Sequence, residues 1–405
     1  MSMRIFRLLV VVLATAISVS GCLNTGSSAP PPTSGLTLAP GDGRITVSWE
    51  MAPGVEYWLF YAPASSISTT NWTSVAGGRA LINVTSPLLL TGVANGLTYA
   101  FTVNARIDGG PGGAGAPSVS AAPRLAGSAW LAGAPLGASD LRGVAYGISH
   151  VAVGLGGAMY SSGDGKAWSL KNPVTSKDLY GTVYGNGIYL AVGAGGTVLY
   201  SADALAWATQ PTGIDDDLFA IASNRTNLNV AVGANGKIIT STDGKTWSVA
   251  VNSATTSNLY GVAYTAYGNG MWVAVGAGGT IIASTDASNW KVVASGTTAD
   301  LKGVAYFPTG GSGAFNAVGA AGTLVASPDG ANWTPQPALT TATLNAIIYG
   351  TQFIAVGTGG AVFTSVDGTR WTAQSSGAVN HLYAIEHAPY SYSAVGAGGA
   401  NLYSE

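Results

Sequence analysis

Residues 141–168 read Leu141-Arg-Gly-Val-Ala-Tyr-Gly-Ile-Ser-His-Val-Ala-Val-Gly-Leu-Gly-Gly-Ala-Met-Tyr-Ser-Ser-Gly-Asp-Gly-Lys-Ala-Trp168. Short apolar runs broken by glycine turns are the pattern of strands, not helices. The unit recurs. An Ala-Val-Gly triplet ends at Gly154, Gly193, Gly233, Gly276, Gly319, Gly357 and Gly396, a period of about forty residues, and several short strands per period predict the blades of a β-propeller. Leu141, Leu179, Leu218, Leu259, Leu301, Leu344 and Leu382 open the first strands. Six units close on an Asp followed by a Trp: Asp164 and Trp168, Asp203 and Trp207, Asp243 and Trp247, Asp286 and Trp290, Asp329 and Trp333, Asp367 and Trp371. A Ser stands two residues before each Asp. The physical need is a tight turn, in which the carboxylate accepts backbone N–H bonds, Gly supplies positive φ and Trp packs on the blade.

The ends of the array predict how it closes. The seventh unit stops at Leu402-Tyr403-Ser404-Glu405, before any Trp strand, and an unclaimed Trp strand, Ser128-Ala129-Trp130-Leu131, precedes the first unit. Trp130 precedes Leu141 by the interval that separates Trp168 from Leu179. We therefore expect a seven-bladed propeller over 128–405, closed by an N-terminal outer strand that removes the open sheet edge. The Ser-x-Asp and Trp signature resembles the Asp box of sialidase-like and photosystem-assembly-factor-like propellers. That box usually has one more residue between Asp and Gly, and here Ala204 and Ala287 replace the Gly in two copies.

Upstream, residues 36–123 alternate apolar runs with Gly, Pro and Asn, as in Ile45-Thr46-Val47-Ser48-Trp49 and Tyr99-Ala100-Phe101-Thr102-Val103. Such runs predict an all-β sandwich. Trp49, Tyr57, Tyr61 and Leu97-Thr98-Tyr99 resemble a fibronectin type III domain, which implies core and corner roles for these residues and a spacer role for the domain. No Arg-Gly-Asp triplet is present, since Ile107 lies between Arg106 and Asp108. Asn71-Trp72-Thr73 and Asn83-Val84-Thr85 match a glycosylation pattern, a short motif read here as chance.

At the start, Arg4 and Arg7 precede an apolar stretch from Leu8 to Ser20, too short to span a bilayer and shaped like a secretory signal. It ends in Val19-Ser20-Gly21-Cys22, which resembles the lipobox of bacterial lipoproteins. The resemblance implies a signal peptide over 1–21, acylation of Cys22, and, with Leu23 after the Cys, an anchor in the outer membrane of the cell envelope. Residues 22–35, with Pro30-Pro31-Pro32, read as a Ser/Pro-rich tether.

Composition narrows the function. Of 405 residues 47% are hydrophobic and only 8% charged, with 58 Gly, which is far from the composition of disorder. With 16 Lys plus Arg against 18 Asp plus Glu, no field attracts a polyanion, so nucleic acid is not an expected partner. The single Cys leaves no intramolecular disulfide and no Cys-based metal site. No cofactor or metal is expected, and a monomer is.

Any chemistry belongs at the mouth of the ring, where the opening Leu residues begin. Before them stand Asp140, Asp178, Asp217, Asn258, Asp300, Thr343 and His381, and after them Arg142, Tyr180, Phe219, Tyr260, Lys302, Asn345 and Tyr383. Aromatics and charges around a concave mouth suit a peptide or stacked sugar rings. The competing reading has Asp and Asn capping turns while the aromatics pack between blades. We take Asp140, Arg142, Asp178, Tyr180, Asp217, Phe219, Tyr260, Asp300, Lys302 and Tyr383 as the candidate mouth. Asp215-Asp216-Asp217 lacks an EF-hand pattern and reads as a solvated loop.

A sialidase-like active site implies an arginine triad and a tyrosine paired with glutamate, yet the repeat region holds only Arg142, Arg225 and Arg370. Glu386 and His387 are neighbours on one strand and point to opposite faces. No nucleophile elbow, P-loop or His-Glu-x-x-His motif appears, so no catalytic residue is assigned. The expected function is an envelope scaffold binding a protein partner, with surface glycan binding, or hydrolysis by paired mouth aspartates, as the alternative.

Overall fold

The computed structural model describes residues 26–265, 270–309 and 312–405. The signal segment and Cys22 lie outside them. The chain forms two compact units, one of residues up to Ala39 plus Arg44–Ala122, the other of Pro40–Gly43 plus Pro123–Glu405. Among the described residues there are strands and short 3-10 turns, with no α-helix. None of their helices is long and apolar enough to cross a membrane.

The first unit is a pair of antiparallel sheets. Ser27–Ala29, Tyr99–Ile107, Glu56–Ala62 and Arg79–Leu81 lie side by side, with Val119–Ala121 also on Tyr99–Ile107. Thr37–Gly41, Arg44–Ser48 and Leu88–Thr91 make the second sheet. Alternation fills the space between them: Ile45, Val47, Tyr57, Leu59, Phe101 and Val103 are buried in one cluster with Trp49. The Tyr99 hydroxyl accepts the backbone N–H of Ala94 at 3.1 Å.

The second unit contains seven four-stranded antiparallel sheets among the described residues. The sixth shows the plan: inner strand Leu344–Tyr349, then Phe353–Gly357, Val362–Ser365 and outer strand Thr372–Gln374. Each inner strand packs on the next, and the last, Leu382–Ala388, packs on the first, Leu141–Tyr146. The arrangement is a closed ring. The seventh sheet takes its outer strand, Leu131–Ala132, from the other end of the unit, paired to Asn401–Ser404. Around that seam Trp130 is buried and its Nε1 donates to the Gly127 carbonyl, as Trp168 does to Gly165. Gly127 N–H donates to Ser404 Oγ, and Ser404 Oγ donates to the Ala129 carbonyl.

The glycine of the Ala-Val-Gly triplet follows from this packing. A Cβ at Gly154 would fall on the carbonyl oxygen of Asp140, and at Gly396 on that of His381; the same clash with the residue before the opening Leu recurs in the other five sheets. Aromatic layers fill several of the sheets from inside out. Tyr349, Phe353 and Trp371 lie 5.1 and 6.0 Å apart in sequence, and Tyr184, Tyr189 and Trp207 at 4.6 and 6.2 Å, geometry suited to edge and offset contacts.

Candidate functional site

Each inner strand breaks register just after its opening Leu, between Leu141 and Gly143 in the first sheet and at the matching place in the other six. A bulge leaves one residue unpaired and re-aims its side chain. In every sheet that residue is the one after the Leu. Arg142, Tyr180, Phe219, Tyr260, Lys302, Asn345 and Tyr383 therefore converge on one cavity of about 230 Å³, floored by Val144, Ile221, Val304, Ile347 and Ile385.

These side chains form a circuit. Tyr180, Phe219 and Tyr260 follow one another with ring centroids 5.7 Å apart at each step. Lys302 Nζ lies 3.6 Å from the Tyr260 ring centroid, and the Arg142 guanidinium 3.8 Å from that of Tyr383. Asn345 spans to the last sheet by donating to the Leu382 carbonyl at 2.8 Å. Two cations thus bracket an aromatic arc, each spread over a ring face. Their charge is offset locally: Arg142 pairs with Asp140 at 2.9 Å and Lys302 with Asp300 at 3.0 Å. Burial, then the carboxylates of Asp217 and Asp178, push the Tyr180 phenol above its usual range, so it stays a neutral hydrogen-bonding group.

The aspartates before the leucines do other work. Asp178 Oδ1 accepts the N–H of Gly156 from the preceding sheet, while its backbone carbonyl accepts the N–H of Ala194 from its own. Asp217, Asp300 and Asp140 repeat this with Gly195, Gly278 and Gly398, the last across the ring closure. Asn258 does so with Asn235, and His381 Nδ1 with Gly359. They are latches between sheets, and none of them lines the cavity. Asp140, Asp178, Asp217 and Asp300, expected at the mouth, each have one carboxylate oxygen bonded to the backbone of a neighbouring sheet. Asp216 is likewise committed, to Lys237 at 3.2 Å and to Asn235 at 2.9 Å. Among the described residues no three His, Cys, Asp or Glu side chains converge as metal ligands would.

The box aspartates are structural. Asp243 Oδ1 accepts the N–H groups of Lys245 and Thr246 and the hydroxyl of Ser241, and the other five boxes repeat the two backbone bonds. These turns sit against the start of the second strand, at the far end from the mouth: Gly165 lies beside His150. Glu386 and His387 part company as adjacent strand residues should. Glu386 Oε1 meets His150 Nδ1 at 2.6 Å, both buried, across the seam between last and first sheets, while the His387 ring lies tilted against that of Tyr392, centroids 4.7 Å apart. Sequence reasoning missed the bulge, which leaves no residue type in common to read, and the reach of the latches into the neighbouring sheet, which exists only once the sheets are packed.

A closed ring of four-stranded sheets around a side-chain-lined channel defines a β-propeller. Neither a family model nor a curated protein matches this sequence. Solved structures do: the fold is similar to that of YCF48 from Cyanidioschyzon merolae, at TM-score 0.55 and 15% identity over 68% of this chain and 98% of that one. It is also similar to YCF48 bound to D1 peptide, at TM-score 0.56 and 17% identity over 70% of this chain and 99% of that one. At this identity the likeness speaks for the fold.

Proposed function

We propose that this protein is an exported scaffold, acylated at Cys22 and held in the bacterial envelope, whose propeller mouth binds a protein partner. On this reading the seven sheets are seven blades, and the first unit is a fibronectin type III spacer on a tether. The Tyr99 corner bond to Ala94 and the cluster around Trp49 support the spacer. The sequence Val19-Ser20-Gly21-Cys22 supports the anchor.

The observation that carries the mouth is its circuit of side chains. Tyr180, Phe219 and Tyr260 offer an aromatic arc between two cations already neutralised by Asp140 and Asp300. Such a surface grips apolar and aromatic side chains of an extended segment without a strong field. A similar fold has been solved with a peptide bound, in YCF48 with D1 peptide. A surface glycan is the second reading, favoured by the same three rings as stacking platforms. Hydrolysis is the weaker half of it, because the mouth aspartates are held as latches.

The test is affinity capture from gently solubilised envelopes with the native protein and a Tyr180→Ala, Tyr260→Ala, Lys302→Ala variant of unchanged melting temperature. A protein retained by the native form and lost from the variant supports the scaffold and its site. Equal capture by both removes the mouth from the function. Capture of polysaccharide alone, lost in the same variant, selects the glycan.

A further inference from the structure

A second cavity lies at the other end of the inner strands. It has a volume of about 500 Å³ and is lined by Tyr146, Tyr184, Asn186, Arg225, His387 and Pro389, with glycines between them. Its size falls within the range of small-ligand sites, roughly 300–1,000 Å³. The repeat pattern breaks here. Five inner strands carry Tyr at this level, Tyr146, Tyr184, Tyr264, Tyr306 and Tyr349, and the other two carry Ser223 and His387.

The polar groups on this wall lack partners. Both amide atoms of Asn186 and the Nε2 of His387 are buried with no hydrogen bond, and buried groups in that state are uncommon and costly. Arg225 makes no ion pair among the described residues. It is nevertheless held in place. Its backbone sits at φ 60, in the left-handed region. Asn224 Oδ1 accepts the N–H groups of Thr226, Asn227 and Leu228, and Ser223 Oγ accepts that of Arg225. Burial, and then the Arg225 guanidinium, lower the pKa of His387 against the smaller opposing effect of the Asp42 carboxylate, so the wall itself presents a guanidinium, an imidazole and an amide, with one carboxylate within electrostatic reach of the imidazole.

We propose that this cavity binds a small organic carboxylate, its two oxygens held by Arg225 with Asn186 and His387, and its apolar body between Tyr146 and Tyr184. A planar monoanion matches one guanidinium fork and neutral hydrogen-bonding groups. A phosphate dianion asks for more positive charge than the wall holds. The site is separate from the mouth and stands whether or not the mouth binds a protein.

The test uses imidazole NMR signals of the full chain, which has three histidines, the His387 signal being assigned with His387→Gln. Acetate and benzoate are titrated, with benzamide as the uncharged counterpart of benzoate. The expected result is a saturable shift of the His387 signal with a carboxylate and none with benzamide. Affinity falls at least tenfold in Arg225→Gln and is unchanged in the mouth variant Tyr260→Ala. Folding of Arg225→Gln is checked by circular dichroism, and Asn186→Ala is the second variant. No saturable shift with either carboxylate, an equal shift with benzamide, or full affinity in both Arg225→Gln and Asn186→Ala overturns the proposal.

Discussion

Ala321 sits where other sheets place Gly156, Gly195, Asn235, Gly278, Gly359 and Gly398, in the left-handed second position of the 3-10 turn, at φ 51. Its side chain is exposed, so the methyl brings no burial to offset the strain. A left-handed alanine costs about 1–2 kcal/mol, part of which glycine returns through the entropy of its unfolded chain. Ala321→Gly is expected to raise stability by about 0.5–1 kcal/mol in urea denaturation. Ala204 and Ala287 also hold positive φ, but both are buried, and loss of the methyl cancels the gain. The box aspartates act at this scale too. Backbone N–H groups of Thr246 and Lys245 lower Asp243 to about 2, and those of Arg370 and Thr369 lower Asp367 to about 2. An unfolded Asp titrates near 3.9, as a rough reference value. Because the folded value is the lower one, this stabilisation is present above the unfolded value and lost as pH falls through the folded one. The urea midpoint should therefore decline between about pH 5 and 2, and the Asp243→Asn, Asp367→Asn double variant should flatten that decline.

Between elements, the seam of the last and first sheets is the distinctive one. Where five second strands carry an aromatic residue four before the triplet glycine (Tyr189, Trp272, Phe315, Phe353 and Tyr392), the first carries His150, and Glu386 faces it from the last sheet. Glu386→Ala leaves a buried His150 Nδ1 unpaired, at a cost of about 1–3 kcal/mol. Thermal unfolding should show that loss, with partial recovery in Glu386→Gln; equal stability of Glu386→Ala and the native protein would show that the pair contributes nothing net. Elements differ in how far the sequence discloses them. The strands, the box turns and the alternation of Ile45 and Val47 are legible because periodicity and turn chemistry are local. The triplet glycines were visible as a pattern, but their cause, the approach of the carbonyl before each Leu, exists only once strands are paired. The bulges left no common residue type, since Arg142, Phe219 and Asn345 share a geometry and nothing else. Capping by the Asp residues before the leucines is local chemistry and can be read as an alternative from sequence, but the reach of Asp178 into the neighbouring sheet exists only once the sheets are packed.

Over the whole molecule, the ring is uniform in its scaffold and uneven in its linings. Repetition made the scaffold readable: the interval from Trp130 to Leu141 already set the stretch after Trp130 beside the C-terminal strand, and Leu131–Ala132 pairs there. The mouth was readable as a set of positions following the seven leucines. The opposite cavity was not, because Asn186 and Arg225, each seven residues after its opening Leu, and His387, five after, come from three different units and are three different residue types. The closure also sets an order in time. Gly127 and Ser404 are bonded across a sequence separation of 277, so Leu131–Ala132, the earliest strand of the ring, waits for Asn401–Ser404. During synthesis each earlier sheet forms from contiguous chain, while the seventh is completed only when Asn401–Ser404 emerges to pair with Leu131–Ala132. The ring is thus committed late and all at once, and a chain cut a few residues short would lose its closing partner however well the other six sheets had folded.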